Sequence, residues 1–241
     1  IGLAIIPAMA WALSEDRRAR PTWRWIAGAL LLQIAVAFAI TRAPVVWDIV
    51  RLANYGVAAI EKATLVGSSY MFGYTGGAPI PFELKEGQGQ PLIIAFQILP
   101  LVIVFSALAA LFWHWGVLAA IVRGLSWALQ RTLGVSGVVG LSGGANIFLG
   151  VVESPLVIRA YFEKMSRAEL FSVMVLTMST ISGAVLILYE QSLSRTVPDA
   201  VGHMISASLI SLPAAILVAK ILVPGEGKTA ASVGEASLKY E

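Results

Sequence analysis

From Leu92 to Trp113 the chain carries no charged residue, and similar apolar runs cover Trp23 to Ile40 and Ala200 to Ala219. Each run approaches or reaches the roughly 20 residues that carry a helix across a ~30 Å hydrocarbon core. A backbone in lipid has no water to bond with, so runs of this length are read as helices that satisfy their own N–H and C=O groups. Hydrophobic residues make up 58% of the chain and charged residues 13%, which excludes a soluble domain with a single anchor. The sequence predicts an all-α polytopic membrane protein.

Two further spans are expected at Ile1 to Leu13, which looks clipped, and at Leu170 to Tyr189, giving about five transmembrane helices. From Val45 to Lys62, Val46, Ile49, Val50, Ala53, Val57 and Ile60 follow helical spacing opposite Asp48, Arg51, Asn54 and Glu61. Such a helix suits an interface better than a crossing. Val117 to Arg131 reads the same way, with Arg123, Ser126, Gln130 and Arg131 on one polar face. Gly73 to Pro91 is a turn-rich loop. The chain opens on Ile1 with neither an initiator Met nor a charged leader, and Gly225 to Glu241 reads as a polar linker with more chain expected after it.

The net charge of +3 is no nucleic-acid signal, because most Lys and Arg residues lie in short connections where they report orientation. The loop with Arg17, Arg18 and Arg20 is expected to be cytoplasmic. There is no cysteine, so disulfides and thiolate metal sites do not enter.

Between Ser142 and Pro155 a glycine-loaded apolar run contains Asn146 and ends at Glu153. Polar groups in such a run suggest a site at membrane depth. If Leu133 to Val152 crossed the membrane, Arg159, Lys164 and Arg167 would face outside, against the positive-inside pattern. If the chain instead turns back near Gly150 to Pro155, twelve of the 17 Lys and Arg residues lie inside and five outside. The return arm from Pro155 to Met165 is also too short to cross at ~1.5 Å per residue. The segment is therefore predicted to be a re-entrant hairpin. Its glycines at 134, 137, 140, 143, 144 and 150 allow close packing and an irregular tip. Irregular backbone at that depth is tolerated against protein or a water-filled cavity, so the tip is expected to face a binding site.

A second irregularity is Met178-Ser-Thr-Ile-Ser-Gly183 in the middle of the Leu170 to Tyr189 span. Hydroxyls beside a glycine can unwind a membrane helix and free carbonyls for a cation. Taken alone they are read equally well as bonding their own backbone or a neighbouring helix. Pairing with Asn146 and Glu153 favours coordination.

The runs Gly144-Ala-Asn-Ile-Phe-Leu-Gly-Val-Val-Glu-Ser-Pro-Leu-Val-Ile-Arg-Ala-Tyr-Phe162, Met165-Ser-Arg-Ala-Glu-Leu-Phe171 and Met178-Ser-Thr-Ile-Ser-Gly183 resemble the first half of the concentrative nucleoside transporter core. The resemblance covers most of the chain from about Leu92 to Pro224 and implies the first half of an inverted-repeat transporter. It divides the chain into scaffold-like and interfacial helices over 1–132, the hairpin over 133–167, a broken helix with its successor over 168–224, and a linker over 225–241 to a C-terminal half. It further implies nucleoside uptake by an elevator-type homotrimer in a cell membrane, with the bacterial inner membrane expected. The coupling ion would be sodium or a proton, with no other cofactor.

Carried over by motif, the resemblance makes Glu153 and Gly150 nucleoside-binding and Asn146 a side-chain sodium ligand. Leu149 and Ile181 would give the same ion backbone carbonyls and Thr180 a hydroxyl, while Val185 would line the base pocket. Oxygen ligands of this kind suit a hard cation. Where many members of the family have a polar pair before the acid, this chain has Val151 and Val152. That implies an altered base preference, a site relying more on shape and stacking, or a different substrate. Asn146 and the Ser-Thr-Ile-Ser run favour sodium, although a buried Glu153 is also able to carry a proton.

Three function classes stand beside each other: a secondary transporter, a membrane-embedded enzyme, and a non-transporting gate-like regulatory or sensing subunit. No His-Glu-x-x-His, paired-aspartate or Gly-x-Ser-x-Gly motif supports an enzyme. Keeping Asn146 and Glu153 at membrane depth with no task argues against the third class. His114 between two tryptophans reads as an interfacial residue, as does His203 near a helix end. Glu190 reads as a helix terminus in water, and Pro100 and Pro213 as tolerated prolines. The 241 residues alone are expected not to transport.

Overall fold

The computed structural model describes residues 2–18, 21–42, 44–82, 93–149, 153–181 and 200–225, with single residues at 185, 186, 189, 193, 197 and 229. Among the described residues every regular element is helical. In chain order the helices are α1 (Gly2–Ala12), α2 (Trp23–Arg42), α3 (Pro44–Phe72), α4 (Leu99–His114), α5 (Val117–Leu133), α6 (Gly137–Asn146), α7 (Glu153–Val157), α8 (Arg167–Ser179) and α9 (Ala200–Leu222). A π-helical turn over Ile94–Ile98 leads into α4, and 3₁₀ turns cover Gly73–Gly76 and Arg159–Lys164.

Three stretches among these residues are helical, long and apolar enough to cross a membrane: Trp23–Arg42, Ile94–His114 and Ala200–Leu222. The other two predicted spans are shorter as helices, since α1 has 11 residues and α8 has 13. The amphipathic helix predicted to end at Lys62 runs on through Gly67 to Phe72, because no proline intervenes and the chain first turns left-handed at Gly73. Gly73 adopts a left-handed φ of 58° there.

Helix ends are set by side chains that the sequence places at the right offset. Ser136 caps α6, accepting from the Val139 N–H at 3.5 Å. Ser166 and Glu169 form a reciprocal capping box on α8, each side chain accepting from the other's backbone N–H at 3.3 and 2.8 Å. α5 stops at Gly134, whose φ of 60° suits glycine, with its N–H donating to the Gln130 carbonyl.

The core gathers where α5, α6, α8 and α9 pack, around Val122, Leu129, Leu141, Ala145, Leu176 and Ile216. α6 approaches α5 through backbone. A Cβ on Gly144 would lie 2.8 Å from the Val122 carbonyl oxygen, and one on Gly140 would lie 3.0 Å from that of Ser126. On α5, Ser126 is buried against α6 and accepts from Gln130 Nε2 at 2.9 Å. The two uncharged members of the predicted polar face therefore turn toward the hairpin, while Arg123 and Arg131 stay exposed. By contrast, the outward faces of α1, α2 and α4 expose Ile6, Leu31, Phe38 and Ile103, as lipid-facing helices do.

Ala10 of α1 and Ala29 of α2 pack into this core, and Trp25 adds polar bonds to it. The Trp25 indole N–H donates to the Leu133 carbonyl at 2.8 Å, at the C-terminus of α5. The Lys220 ammonium of α9 lies 4.5 Å from the centre of the same ring.

Candidate functional site

α6 leads into a turn over residues 147–149, and α7 returns beside it. Ser154 of α7 donates to the Ser142 carbonyl of α6 at 3.2 Å, so the two arms form a helical hairpin. Asn146 ends the first arm and is 1% exposed. Its amide nitrogen donates to the Leu176 carbonyl at 2.6 Å and makes a short bond to the Thr180 hydroxyl. That hydroxyl lies 3.4 Å from the Asn146 carbonyl, to which it donates.

Helix α8 breaks where the Ser-Thr-Ile run begins. Thr180 is extended, with φ −123° and ψ 159°. The Ile181 N–H leaves the helical ladder and donates to Ser208 Oγ of α9 at 3.4 Å. Beyond the break, Val185, Leu186, Tyr189 and Leu193 are helical again. The structure thus brings Asn146, Thr180 and Ile181 to one place, where the ends of α6 and α8 meet. Leu149 is buried in the adjoining turn, and Val185 is exposed past the break. Glu153 opens α7. Its side chain, together with Gly150, Val151, Val152, Ser182 and Gly183, lies outside the described residues.

The electrostatics follow from helix direction. The last carbonyls of a helix have no partner within it, and its C-terminus carries about half a negative charge. Two such ends converge on Asn146 and Thr180. They supply neutral oxygens and roughly one unit of negative potential without an ionised side chain. Among the described residues no three of His, Cys, Asp and Glu gather to hold a metal.

Sequence reasoning missed several partners. The Leu176 carbonyl has no side-chain signature. Ser208 is a small polar residue in an apolar helix, a sign of a buried interhelical bond that the sequence does show. Glu169 is 2% exposed, and its carboxylate accepts from Ser166 N–H, from Thr229 N–H at 3.0 Å and from Thr229 Oγ at 2.9 Å, with a further bond from Ser136. Burial alone would raise its pKa. The bonds from Ser136, Ser166 and Thr229 together outweigh that and hold the carboxyl below the usual carboxylate range.

Comparison with known proteins resolves the family. Residues 1–75 match the model described as the Na+ dependent nucleoside transporter N-terminus, and residues 95–195 match the Gate model, described as nucleoside recognition. The chain belongs to the concentrative nucleoside transporter family. It is 30% identical to the nucleoside permease NupC of Helicobacter pylori over 99% of this chain and 54% of that protein. An uncharacterized transporter of Haemophilus influenzae is 31% identical over 93% of this chain and 50% of its own length. Among solved structures, CNTnw in an inward-facing substrate-bound state superposes with a TM-score of 0.78 at 31% identity, covering 98% of this chain and 56% of CNTnw. The chain therefore spans about half the length of these three relatives.

Proposed function

We propose that this chain supplies the first half of a secondary transporter that takes up nucleosides on a sodium gradient. The observation that carries this reading is the Asn146 amide, buried and bonded to the Leu176 carbonyl and the Thr180 hydroxyl where α8 breaks. The amide nitrogen holds the two oxygen acceptors that a small cation would take. Rotating the amide would aim its oxygen at the same point, giving a third neutral ligand. With the converging helix ends behind them, these oxygens suit a monovalent cation better than a divalent ion that calls for carboxylates.

In this reading Asn146, Thr180 and the carbonyls of Leu149 and Ile181 hold the ion. Gly150, Val151, Val152, Glu153 and Val185 face the nucleoside, with Glu153 accepting from a substrate hydroxyl or amide. The hairpin enters and leaves the bilayer on the cytoplasmic side. A homotrimer in the bacterial inner membrane moves its hairpin-bearing units as an elevator, with no enzymatic step. Proton coupling through Glu153 is the competing form of the same mechanism. The reading is supported by the sodium-dependent description of the family model over residues 1–75 and by solved states of CNTnw that include inward- and outward-facing ones.

The test is uptake of labelled nucleosides by the full-length protein in vesicles, with sodium and pH gradients imposed separately. Uptake should follow the sodium gradient, and Glu153→Gln should slow it severely. Full-rate transport by that variant would remove Glu153 from the site. A second reading, a gate-like regulatory or sensing subunit, draws on the Gate description over residues 95–195. No uptake of any nucleoside under either gradient would favour it.

A further inference from the structure

The N-termini of α6 and α8 also meet. Ser136 caps α6, Ser166 caps α8, and both bond the single carboxylate of Glu169. α6 and α8 therefore run side by side in the same direction. They are pinned at one end by Glu169 and at the other by the bonds from Asn146 to Leu176 and Thr180. An anion at two helix N-termini answers the positive ends of both dipoles.

A third element closes this end. Thr229, just past α9, donates twice to Glu169, and its hydroxyl also lies 3.1 Å from the Lys164 carbonyl. Its own carbonyl accepts from the Val138 N–H at 3.4 Å, taking one of the N–H groups that α6 leaves unpaired at its start. A carboxylate has acceptors only, and Ser136, Ser166 and Thr229 each give it a donor. Beside it lies a cavity of about 40 Å³ lined in part by Ser136, Ser172 and Lys220, with room for a water.

We infer that Glu169 and Thr229 form a clasp that sets the axial register of α6 against α8, making Glu169 a positioning residue for the cation site at their far ends. Ten positions along α6, from Ser136 to Asn146, and eleven along α8, from Glu169 to Thr180, separate the clasp from that site, so a slip at the caps displaces Asn146 against Thr180 along two stiff rods. A gap of a few tenths of an ångström matters to an ion held at short distances by neutral oxygens. The inference rests on the cation reading of Asn146 and Thr180 given above.

The test uses full-length protein in vesicles and compares wild type with Glu169→Gln, Thr229→Val and Thr229→Ser. Gln replaces one acceptor with a donor, Val removes the hydroxyl at similar volume, and Ser restores it. Two quantities are read: the sodium concentration for half-maximal uptake, and the sodium-dependent rise in melting temperature against choline. Glu169→Gln and Thr229→Val should raise the half-maximal sodium concentration about 5- to 30-fold, within the range typical of coupled sites. Maximal uptake per folded molecule should stay within about twofold, and Thr229→Ser should match wild type.

Less folded protein with an unchanged sodium requirement would make Glu169 merely structural and overturn the inference alone. Should Glu169→Gln not fold, Thr229→Val carries the same comparison. A wild type that takes up nucleoside with no response to sodium in either measurement would overturn the cation reading and this inference together.

Discussion

At the scale of single residues, Asn146 and Glu169 show two ways of holding polar groups in an apolar core. Asn146 is satisfied by neutral acceptors from another helix, and removing it takes one of two donors from the Leu176 carbonyl, leaving the Ser179 hydroxyl at 2.9 Å. A hydrogen bond of this kind contributes about 0.5–1.5 kcal/mol net. Asn146→Leu should therefore lower the melting temperature and raise the half-maximal sodium concentration of uptake at least about tenfold, measured in the same vesicles. Glu169 is satisfied as an anion. Its folded pKa lies below the ordinary 4.5, so its contribution to stability is complete above that value and is lost as pH falls through the folded one. Melting temperature in detergent should fall in that acid window, and Glu169→Gln should flatten this part of the profile while lowering stability at neutral pH. The acid of the Glu15–Arg167 pair is different. Both partners are exposed, and breaking that bridge should change little.

At the scale of elements, the legible features were those carried by local pattern. Runs such as Leu92 to Trp113 announce helices by length and apolarity alone. The break in α8 was visible because the hydroxyls of Ser179, Thr180 and Ser182 stand beside Gly183 in an otherwise apolar stretch, and the structure places the extended residue at Thr180. The Ser166–Glu169 capping box was not read from the sequence, and although its own spacing is local, the clasp built on it is not. Thr229 is 60 residues from Glu169, and no periodicity links them. The end of α3 was misjudged because a polar face that fades after Lys62 does not stop a helix, whereas the left-handed turn at Gly73 does. The glycines of α6 were read as permitting close packing, and the structure shows which ones the packing requires. Gly144→Ala would push a methyl into the Val122 carbonyl at 2.8 Å. Such overpacking costs typically about 1–3 kcal/mol, so the variant should melt well below wild type. Ala at Gly124, which meets nothing within 4 Å, should not.

At the scale of the whole molecule, the fold separates a peripheral group of helices from a packed group. The first four helices expose apolar faces broadly, whereas α6 is buried along its entire length and α9 along about half of its membrane-crossing stretch. The proposed homotrimer predicts a mass of three protomers for the full-length protein in nanodiscs. A monomeric mass there would remove the assembly from the reading. The division expected from the sequence sets residues 1–132 against the hairpin over 133–167 and the broken helix with its successor over 168–224, and the proposed sliding motion needs such a boundary.

Trp25 lies at that proposed boundary. Its indole bonds the last carbonyl of α5, a helix whose other residues fall with it in 1–132, while the ammonium above its ring, Lys220, lies in 168–224. In the proposed reading the residue is an optical gauge at the seam. A slide of one unit past the other would take the cation from this chromophore, and its emission would shift. Read as the difference between wild type and Trp25→Phe, that shift should appear on adding sodium and nucleoside together. Helices that turn over without sliding would leave the light from Trp25 unchanged.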